Sequence, residues 1–293
     1  MLIPRHANIK FALLLFFVFA YFILPGCNNL QTKINNADAI ALKSSLKKKI
    51  IKTKNFNLVS YQKIDSSSKI AVIYIEGDGL AWTSKHRVSN NPTPDHPVAL
   101  EMASIDNSST VIYIARPCQY VDLANETLCR ADYWTNKRAS KEIIESIDTA
   151  ISKIKTKSGI KQIRLVGYSG GATIAAILAA IRNDVIDLRT IAGNLDINVF
   201  SQTHNTSPLY GSLNPIDYAE KLVKIPQTHF VSKNDTIITH DITNSYANNL
   251  MKYDSDLKCV KFIELEKPTH TKGWTTVWQN QVKYNQNCRE SNH

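Results

Sequence analysis

Apolar runs of strand length alternate with helical repeats through the middle of the chain. Residues 69–75 and 110–115 are rich in β-branched and aromatic side chains and are followed by glycine or proline, so both predict buried strands. Further along, apolar residues recur at helical spacing between Ser140, a candidate N-cap, and Gly159, a candidate helix stop. The apolar positions of this predicted amphipathic helix are Ile143, Ile144, Ile147, Ala150, Ile151 and Ile154.

The alternation continues beyond this helix. A strand predicted over 162–166 leads through a glycine-rich turn to a helix of small residues over 172–181, and further strands are predicted over 188–192, 227–232 and 260–265. This order predicts an α/β fold in which a mostly parallel sheet carries helices on both faces. Because ligands bind just outside the carboxyl ends of such strands, the residues that follow each strand are the candidates for chemistry.

The beginning of the chain has the layout of a secretory signal. A basic start precedes an apolar run over 11–24, which is short for a membrane-spanning helix. The run ends in Leu24-Pro25-Gly26-Cys27, which resembles the lipobox of bacterial lipoproteins. That resemblance implies a signal peptide over 1–26 and lipidation of Cys27, with an uncleaved anchor as the alternative. Either way, the rest of the chain is expected in the bacterial cell envelope, bound to a membrane and facing the periplasm or the cell surface.

Composition and charge narrow the choice of partners. A chain of 293 residues with 43% apolar and 20% charged residues suits one globular α/β domain, predicted over 69–293. The net charge of +10 would suit nucleic acid, but the basic residues are scattered, and no nucleic-acid partner is predicted. A lysine-rich tether is predicted over 27–68, ending in a strand or two near 56–63. Its lysines form either a solvated face or a surface attracted to anionic lipid head groups. The oligomeric state is left open.

Export changes the interpretation of the cysteines. If Cys27 carries lipid, an even number remains for an oxidising compartment. Pairing of Cys118 with Cys129 and of Cys259 with Cys288 closes the shortest loops and is therefore predicted, although other pairings and free buried thiols stay open. No cysteine and histidine spacing suggests a metal site, so neither a metal nor a cofactor is predicted.

The strongest motif is Gly167-Tyr168-Ser169-Gly170-Gly171, which follows a predicted strand directly and precedes a predicted helix. A sharp turn at this place exposes the serine hydroxyl at the edge of the sheet, and the next helix presents its N-terminus to a developing oxyanion. The motif therefore predicts Ser169 as a nucleophile. A glycine-rich turn without catalysis is the alternative.

A nucleophilic serine needs a base and an acid, which follow it along the chain in this kind of fold. Asp235 comes just after the strand over 227–232, and His270 lies on a loop after the strand over 260–265. Both loops should reach the sheet edge that carries the serine, so Asp235 and His270 are predicted to complete a triad. Asp196 also follows a strand and is kept as the alternative acid, whereas His229 sits within a strand pattern and is expected in the core.

Two backbone amides are predicted to form an oxyanion hole. One belongs to Gly170, the residue after the nucleophile, and the other comes from the glycine-rich loop after the first buried strand. Asp78 lies directly after the first glycine of that loop, so its amide is assigned as the second donor.

With these motifs together, the chain resembles the α/β-hydrolase superfamily, and within it a group of bacterial hydrolase-like lipoproteins. The resemblance spans about 69–278 and implies the α/β-hydrolase fold and a triad of Ser169, Asp235 and His270, but no particular substrate. Its motifs are Tyr74-Ile75-Glu76-Gly77-Asp78-Gly79, Arg116-Pro117-Cys118-Gln119-Tyr120, Tyr133-Trp134-Thr135, Gly167-Tyr168-Ser169-Gly170-Gly171, Ala192-Gly193-Asn194-Leu195-Asp196 and Ser212-Leu213-Asn214-Pro215. The sequence has Glu76 where members of the superfamily often have a histidine.

The hypotheses for function follow from these expectations. The first is a membrane-anchored serine hydrolase, an esterase or other acyl hydrolase, which acts on a small acyl substrate through an acyl-enzyme. A peptidase of the same fold is the nearest alternative. The alternative from a different class is a non-catalytic surface or binding lipoprotein that has kept the fold.

Overall fold

The computed structural model describes residues 30–278, in which an eight-stranded sheet forms the centre of the molecule. Its strands follow the spatial order β1-β2-β6-β3-β7-β8-β9-β10. They span Lys47–Lys52 (β1), Asn57–Lys63 (β2), Ile70–Ile75 (β3), Val111–Ile114 (β6), Gln162–Tyr168 (β7), Val185–Ile191 (β8), Gln227–Ser232 (β9) and Val260–Leu265 (β10). A separate hairpin joins β4 (Trp82–Ser84) to β5 (Arg87–Val88).

The pairing of the strands sets the edge at which chemistry can occur. Six neighbouring strands, from β6 to β10 in the spatial order, run parallel, while β2 is antiparallel to both of its neighbours. The carboxyl ends of the parallel strands therefore meet at one edge. Each strand predicted from 69–75 onward is present within a few residues of its predicted bounds, and the α/β prediction is confirmed.

Helices cover both faces of the sheet. Those given by the structure are Leu30–Lys43 (α1), Val98–Ser104 (α2), Lys141–Ser158 (α3), Gly170–Ile181 (α4), Ile197–Thr203 (α5), Ala219–Leu222 (α6), His240–Met251 (α7) and Trp274–Trp278 (α8). The predicted amphipathic helix is α3, which begins after Ser140 and ends at Gly159 with a φ of 73°. Helix α4 is buried along most of its length, because alanines and glycines let its backbone lie close to the sheet.

The predicted tether over 27–68 is wrong from Leu30 onward. Helix α1 packs against α2 and β1 and buries Lys33, Ala37 and Ala41, which recur every four residues. Strands β1 and β2 belong to the central sheet. Periodicity did not reveal α1 because its buried face consists of two small residues and a lysine. Strand β1 was missed because it lies at the sheet edge and buries only Ile51. The strand expected near 56–63 is confirmed as β2.

The cysteines support part of the predicted pairing. Cys118 and Cys129 form a disulfide, as predicted. Cys259 is also disulfide-bonded, but its predicted partner Cys288 lies outside the described residues, so that pairing stays a prediction. The signal peptide and Cys27 lie outside the described residues as well. Between Leu30 and Trp278, no helix combines the length and apolarity that crossing a bilayer requires.

The Cys118–Cys129 disulfide is expected to stabilise the domain. It joins positions 11 residues apart, and closure of a loop of this length contributes about 3 kcal/mol in the chain-entropy description. The double variant Cys118→Ala/Cys129→Ala should therefore unfold at a lower urea concentration than the oxidised protein. The single variant Cys118→Ala is the control and should resemble the double variant, because either change prevents this bond and leaves that of Cys259 in place. Equal unfolding midpoints for the variant and the oxidised protein would contradict this expectation.

Candidate active site

Ser169 stands on a strained turn between β7 and α4. Its backbone has φ 52° and ψ −120°, a conformation that few residues other than glycine adopt. Two glycines of the motif permit the turn. A Cβ on Gly167 would lie 2.5 Å from the Cα of Ala172, and one on Gly171 would lie 2.3 Å from the carbonyl oxygen of Ile75. The spacing of the motif thus reflects backbone contacts on both sides of the serine.

The structure brings the three predicted triad residues into contact. Ser169 Oγ lies 3.0 Å from His270 Nε2, and His270 Nδ1 lies 2.9 Å from Asp235 Oδ2. The side chain of Asp235 is buried, and its other oxygen accepts hydrogen bonds from the amides of Ile237 and Ile238 at 2.8 and 2.9 Å. Because both carboxylate oxygens are engaged, Asp235 is held in one orientation toward the imidazole.

Contacts between loops hold His270 in place. Its carbonyl oxygen accepts hydrogen bonds from the Tyr168 hydroxyl at 2.8 Å and from the Trp274 indole at 3.0 Å. The hydroxyl of Ser232, at the end of β9, donates to the carbonyl of Pro268 on the histidine loop. The acid loop and the base loop are therefore joined to each other and to the serine turn.

Asp196, the alternative acid, is occupied elsewhere. It caps α5 by accepting from the amides of Asn198 and Val199, and it also accepts from the Asn214 amide group at 3.1 Å and the Ser245 hydroxyl at 2.6 Å. These contacts give it a structural role away from the histidine. Of the two candidate acids, the structure places only Asp235 against His270.

Two other histidines that follow Ser169 in the chain, His229 and His240, do not contact the serine. His229 is buried in β9, where its ring stacks on Phe262, and burial lowers its pKa to about 3. His240 is on the surface, 3.3 Å from Glu264. The prediction that His229 belongs to the core is confirmed.

The loop after β3 passes directly over the serine. A Cβ on Gly77 would lie 3.0 Å from the Tyr168 ring and 3.3 Å from Ser169 Cβ, so only glycine fits there without displacement. The backbone amides of Asp78 and Gly170, the two predicted oxyanion donors, make no hydrogen bond within residues 30–278. Gln119 supports the loop by donating from Nε2 to the Gly77 carbonyl at 3.0 Å.

The side chain of Asp78 forms a buried ion cluster that the sequence did not reveal. Its two oxygens accept from Arg116 and Arg138, each at 2.9 Å. Burial by itself would raise the pKa of the Asp78 carboxyl, but the charges of Arg138 and Arg116 outweigh burial and hold this pKa below its usual range. The carboxylate also abuts Gly170, because a Cβ there would lie 2.2 Å from Asp78 Oδ1. The cluster therefore fixes the loop against the start of α4.

Glu76 is the second buried carboxyl group beneath the site. It accepts from the amides of Gly77 and Ala99 at 3.0 and 3.3 Å and from the Tyr113 hydroxyl at 3.1 Å. Through these bonds it ties the loop to the first turn of α2. Burial raises the pKa of Glu76 to about 7 although these hydrogen bonds oppose the change.

Glu76 should make the stability of the domain depend on pH. Its pKa is higher in the folded protein than the ordinary value of 4.5. The folded chain therefore keeps a proton that the unfolded chain loses, and stability falls as pH rises from 4.5 to about 7. Glu76→Gln should remove this loss and stabilise the domain at pH 8 by on the order of 3 kcal/mol relative to wild type, with little difference at pH 4. Urea denaturation across this range measures the effect.

The surface variant Glu145→Gln is the control for this measurement, because Glu145 is exposed on α3. It should follow the wild-type dependence of stability on pH. A Glu76→Gln variant that also follows the wild-type dependence would show that Glu76 does not carry the expected proton.

A cavity of about 370 Å³ opens at Ser169 and His270. Its volume falls in the range of small-molecule sites. Its wall is largely apolar, with Arg138 as a basic group beside the ring of Phe200. Other lining residues are Leu80, Ala81, Trp82, Pro94, Asp95, His96, Ile237 and Ile238. Across residues 30–278, no group of three or more histidine, cysteine, aspartate or glutamate side chains is arranged to hold a metal ion.

Comparisons with known proteins agree with this geometry at the level of the fold. Neither a protein-family model nor a curated protein sequence matches the chain. Among solved structures, an esterase of Pyrococcus furiosus is 13% identical with a TM-score of 0.57, covering 82% of this chain and 92% of its own. Est1E of Butyrivibrio proteoclasticus is 11% identical with a TM-score of 0.56, covering 80% and 95%. An acylaminoacyl peptidase of Pyrococcus horikoshii is 13% identical with a TM-score of 0.56, covering 79% of this chain and 38% of its own.

These structures share the parallel sheet and flanking helices with this chain. The sequence identities are too low to infer a substrate from them. The sheet order, the serine turn between β7 and α4, and these similarities lead to one conclusion. The protein has the α/β-hydrolase fold.

Proposed function

We propose that this protein is a serine hydrolase that cleaves carboxylic esters through an acyl-enzyme. The observation that carries the proposal is the continuous chain of contacts from Ser169 through His270 to the buried Asp235. A serine hydroxyl is a weak nucleophile unless a base takes its proton, and a histidine held by a carboxylate is such a base. The strained backbone of Ser169 supports the proposal, because strain of this kind is found at functional sites.

The reaction would proceed in two halves. Ser169 Oγ attacks the acyl carbon while His270 Nε2 takes the hydroxyl proton. The carbon–oxygen bond of the ester then breaks, and the leaving alcohol receives that proton. Water next attacks the acyl-enzyme, gives a proton to His270, and releases the acid as the serine regains its hydrogen. Asp235 keeps the Nδ1 proton of His270 directed toward itself, so that Nε2 faces the serine.

The oxyanion of each tetrahedral intermediate would be bound by the amides of Gly170 and Asp78. Both amides lack a partner within residues 30–278, and Gly170 begins α4, whose N-terminus adds a partial positive charge. The Asp78 ion cluster and Glu76 would hold the loop that carries the second amide.

A serine-directed fluorophosphonate tests the proposal directly. The wild-type protein should be labelled at Ser169 and should hydrolyse short-chain aryl esters. A folded protein that resists the probe and turns over no ester, amide or thioester would contradict the proposal. The alternative of a non-catalytic binding lipoprotein would then take its place.

A peptidase is the second candidate, because the acylaminoacyl peptidase of Pyrococcus horikoshii is similar in structure. The same triad could attack an amide. An esterase and a peptidase should differ in kcat/KM on an ester and a peptide that carry the same acyl group. A higher kcat/KM on the peptide would favour the peptidase.

We further propose that the chain is anchored in a membrane of the bacterial cell envelope by lipid on Cys27. The basic start, the apolar run over 11–24 and the Leu24–Cys27 motif support this proposal. Mass analysis of the protein extracted from membranes tests it. An unmodified Cys27, or a mature chain that still begins at Met1, would contradict it.

A further inference from the structure

The mouth of the cavity carries an exposed hairpin with an amphipathic surface. The hairpin runs from Trp82 to Val88, and each residue from Trp82 to Arg87 is exposed. Trp82 is 44% exposed although it also lines the cavity, and Ile237, another lining residue, is 41% exposed. Exposed tryptophan and aliphatic residues at the mouth of an apolar cavity suit the boundary between water and lipid.

The charge of the hairpin indicates which surface it would meet. Lys85 and Arg87 lie on the same hairpin as Trp82, and neither forms an ion pair with any described residue. Cations near a membrane are attracted by anionic head groups. An exposed hairpin that carries both an aromatic residue and unpaired cations thus suits an anionic bilayer better than a neutral apolar partner.

The start of α1 lies beside the same mouth. Lys33, in the first turn of α1, donates to the Thr93 carbonyl at 2.8 Å and lies 3.2 Å from the Asp95 carboxylate. Asn36 on the next turn donates to the carbonyl of Asp95, which lines the cavity. Cys27 is three residues before Leu30 and, by chain length alone, at most about 11 Å from it. A lipid on Cys27 would therefore keep this end of the molecule close to the bilayer.

We propose that the hairpin docks the mouth of the cavity on an anionic bilayer, and that the substrate is an ester carried by a lipid of that bilayer. The substrate part rests on the proposed ester hydrolysis, whereas the docking part does not. The apolar wall would receive the acyl chain as it leaves the bilayer, and the acyl carbon would reach Ser169 without crossing water. The same end of the molecule would thus hold the protein at the membrane and receive its substrate.

Tryptophan fluorescence of the full chain in vesicles tests the docking. The vesicles contain phosphatidylglycerol and phosphatidylethanolamine with brominated acyl chains, which quench tryptophan at short range. The chain has four tryptophans, and the other three (Trp134, Trp274 and Trp278) are buried, so Trp82 should account for the quenching. Trp82→Phe should abolish it. The double variant Trp82→Phe/Tyr253→Trp should also be unquenched, because Tyr253 is exposed at the opposite edge of the sheet, after α7.

Either of two results would overturn the docking. One is wild-type emission that brominated lipid does not change, and the other is quenching that persists in Trp82→Phe and so reports another face of the molecule.

A charge-reversal pair tests the lipid substrate. Lys85→Glu/Arg87→Glu should lower hydrolysis of vesicle-borne phosphatidylglycerol by roughly 25-fold or more, since each of the two cations contributes about a factor of five to binding at an anionic surface. It should leave hydrolysis of the soluble p-nitrophenyl acetate unchanged. Lys252→Glu/Lys258→Glu is the matched control, with the same charge change at the far edge, and should leave both rates unchanged.

The results separate this inference from the proposed function. If the hairpin variant changed hydrolysis of both esters equally, or of neither, the proposal of a lipid substrate would be wrong. Fluorophosphonate labelling of the same protein would still support the proposed hydrolase activity. If brominated lipid quenched the tryptophan but the fluorophosphonate did not label the protein, both the hydrolase activity and the lipid substrate would be contradicted. The quenching would then support the docking alone.

Discussion

Ser169→Ala is expected to lower kcat on an aryl ester by roughly 10⁴-fold or more and to abolish fluorophosphonate labelling. His270→Ala should lower kcat to a similar extent, because serine and base act as one unit and removal of either leaves only the oxyanion hole and binding. The double variant should therefore be little slower than either single variant. Initial rates with a short aryl ester measure all three. Substantial turnover by Ser169→Ala would contradict the assignment of the nucleophile.

Asp235→Asn and Asp196→Asn separate the two candidate acids. Asp235→Asn keeps the shape of the side chain but loses the charge that orients His270, and kcat should fall by about 10⁴-fold. Asp196→Asn should change kcat little and lower the free energy of unfolding by no more than about 1 kcal/mol, because asparagine also caps a helix and only the oxygen that accepts from Ser245 is lost. Each variant is the control for the other. A larger loss of kcat in Asp196→Asn would contradict the observed contacts.

Asp78→Ala is expected to have the largest effect on stability. The variant leaves Arg116 and Arg138, whose side chains are 5% and 13% exposed, without their shared carboxylate. Removal of one partner from a buried ion pair typically costs about 3–5 kcal/mol, because a buried charge remains uncompensated. The midpoint of urea denaturation should fall accordingly. Ester hydrolysis should fall as well, since the loop that carries the Asp78 amide loses its ion pairs with Arg116, which follows β6, and with Arg138, which precedes α3.

Asp132→Ala is the matched control for this variant. Asp132 also lies 2.9 Å from a cation, Lys137, but that pair is partly exposed, and exposed pairs contribute no more than about 1 kcal/mol. Asp78→Ala combined with Arg138→Ala should be less destabilising than the sum of the single variants, because the two groups interact. An effect of Asp78→Ala as small as that of Asp132→Ala would contradict a stabilising role for the cluster.

The local pattern of the sequence determined seven of the eight strands of the central sheet, all except β1, together with the helix α3 and the serine turn. Each of these depends on neighbours along the chain. A buried parallel strand is an apolar run, α3 shows its buried face every three or four residues, and the turn needs small residues beside Ser169. The places of Asp235 and His270 were also predictable, because the carboxyl ends of parallel strands share one edge.

Contacts between distant segments decided the rest. Asp196 and Asp235 both follow a strand, and only the hydrogen bonds of α5 and of the histidine loop assign the first to capping and the second to His270. The cluster of Asp78, Arg116 and Arg138 joins three segments, and no local pattern indicates which arginine meets which carboxylate. Helix α1 was hidden because it buries alanines and a lysine, which carry little hydrophobic signal. Its position beside the cavity depends on Lys33 meeting Asp95, a contact across 62 positions that only the tertiary structure provides.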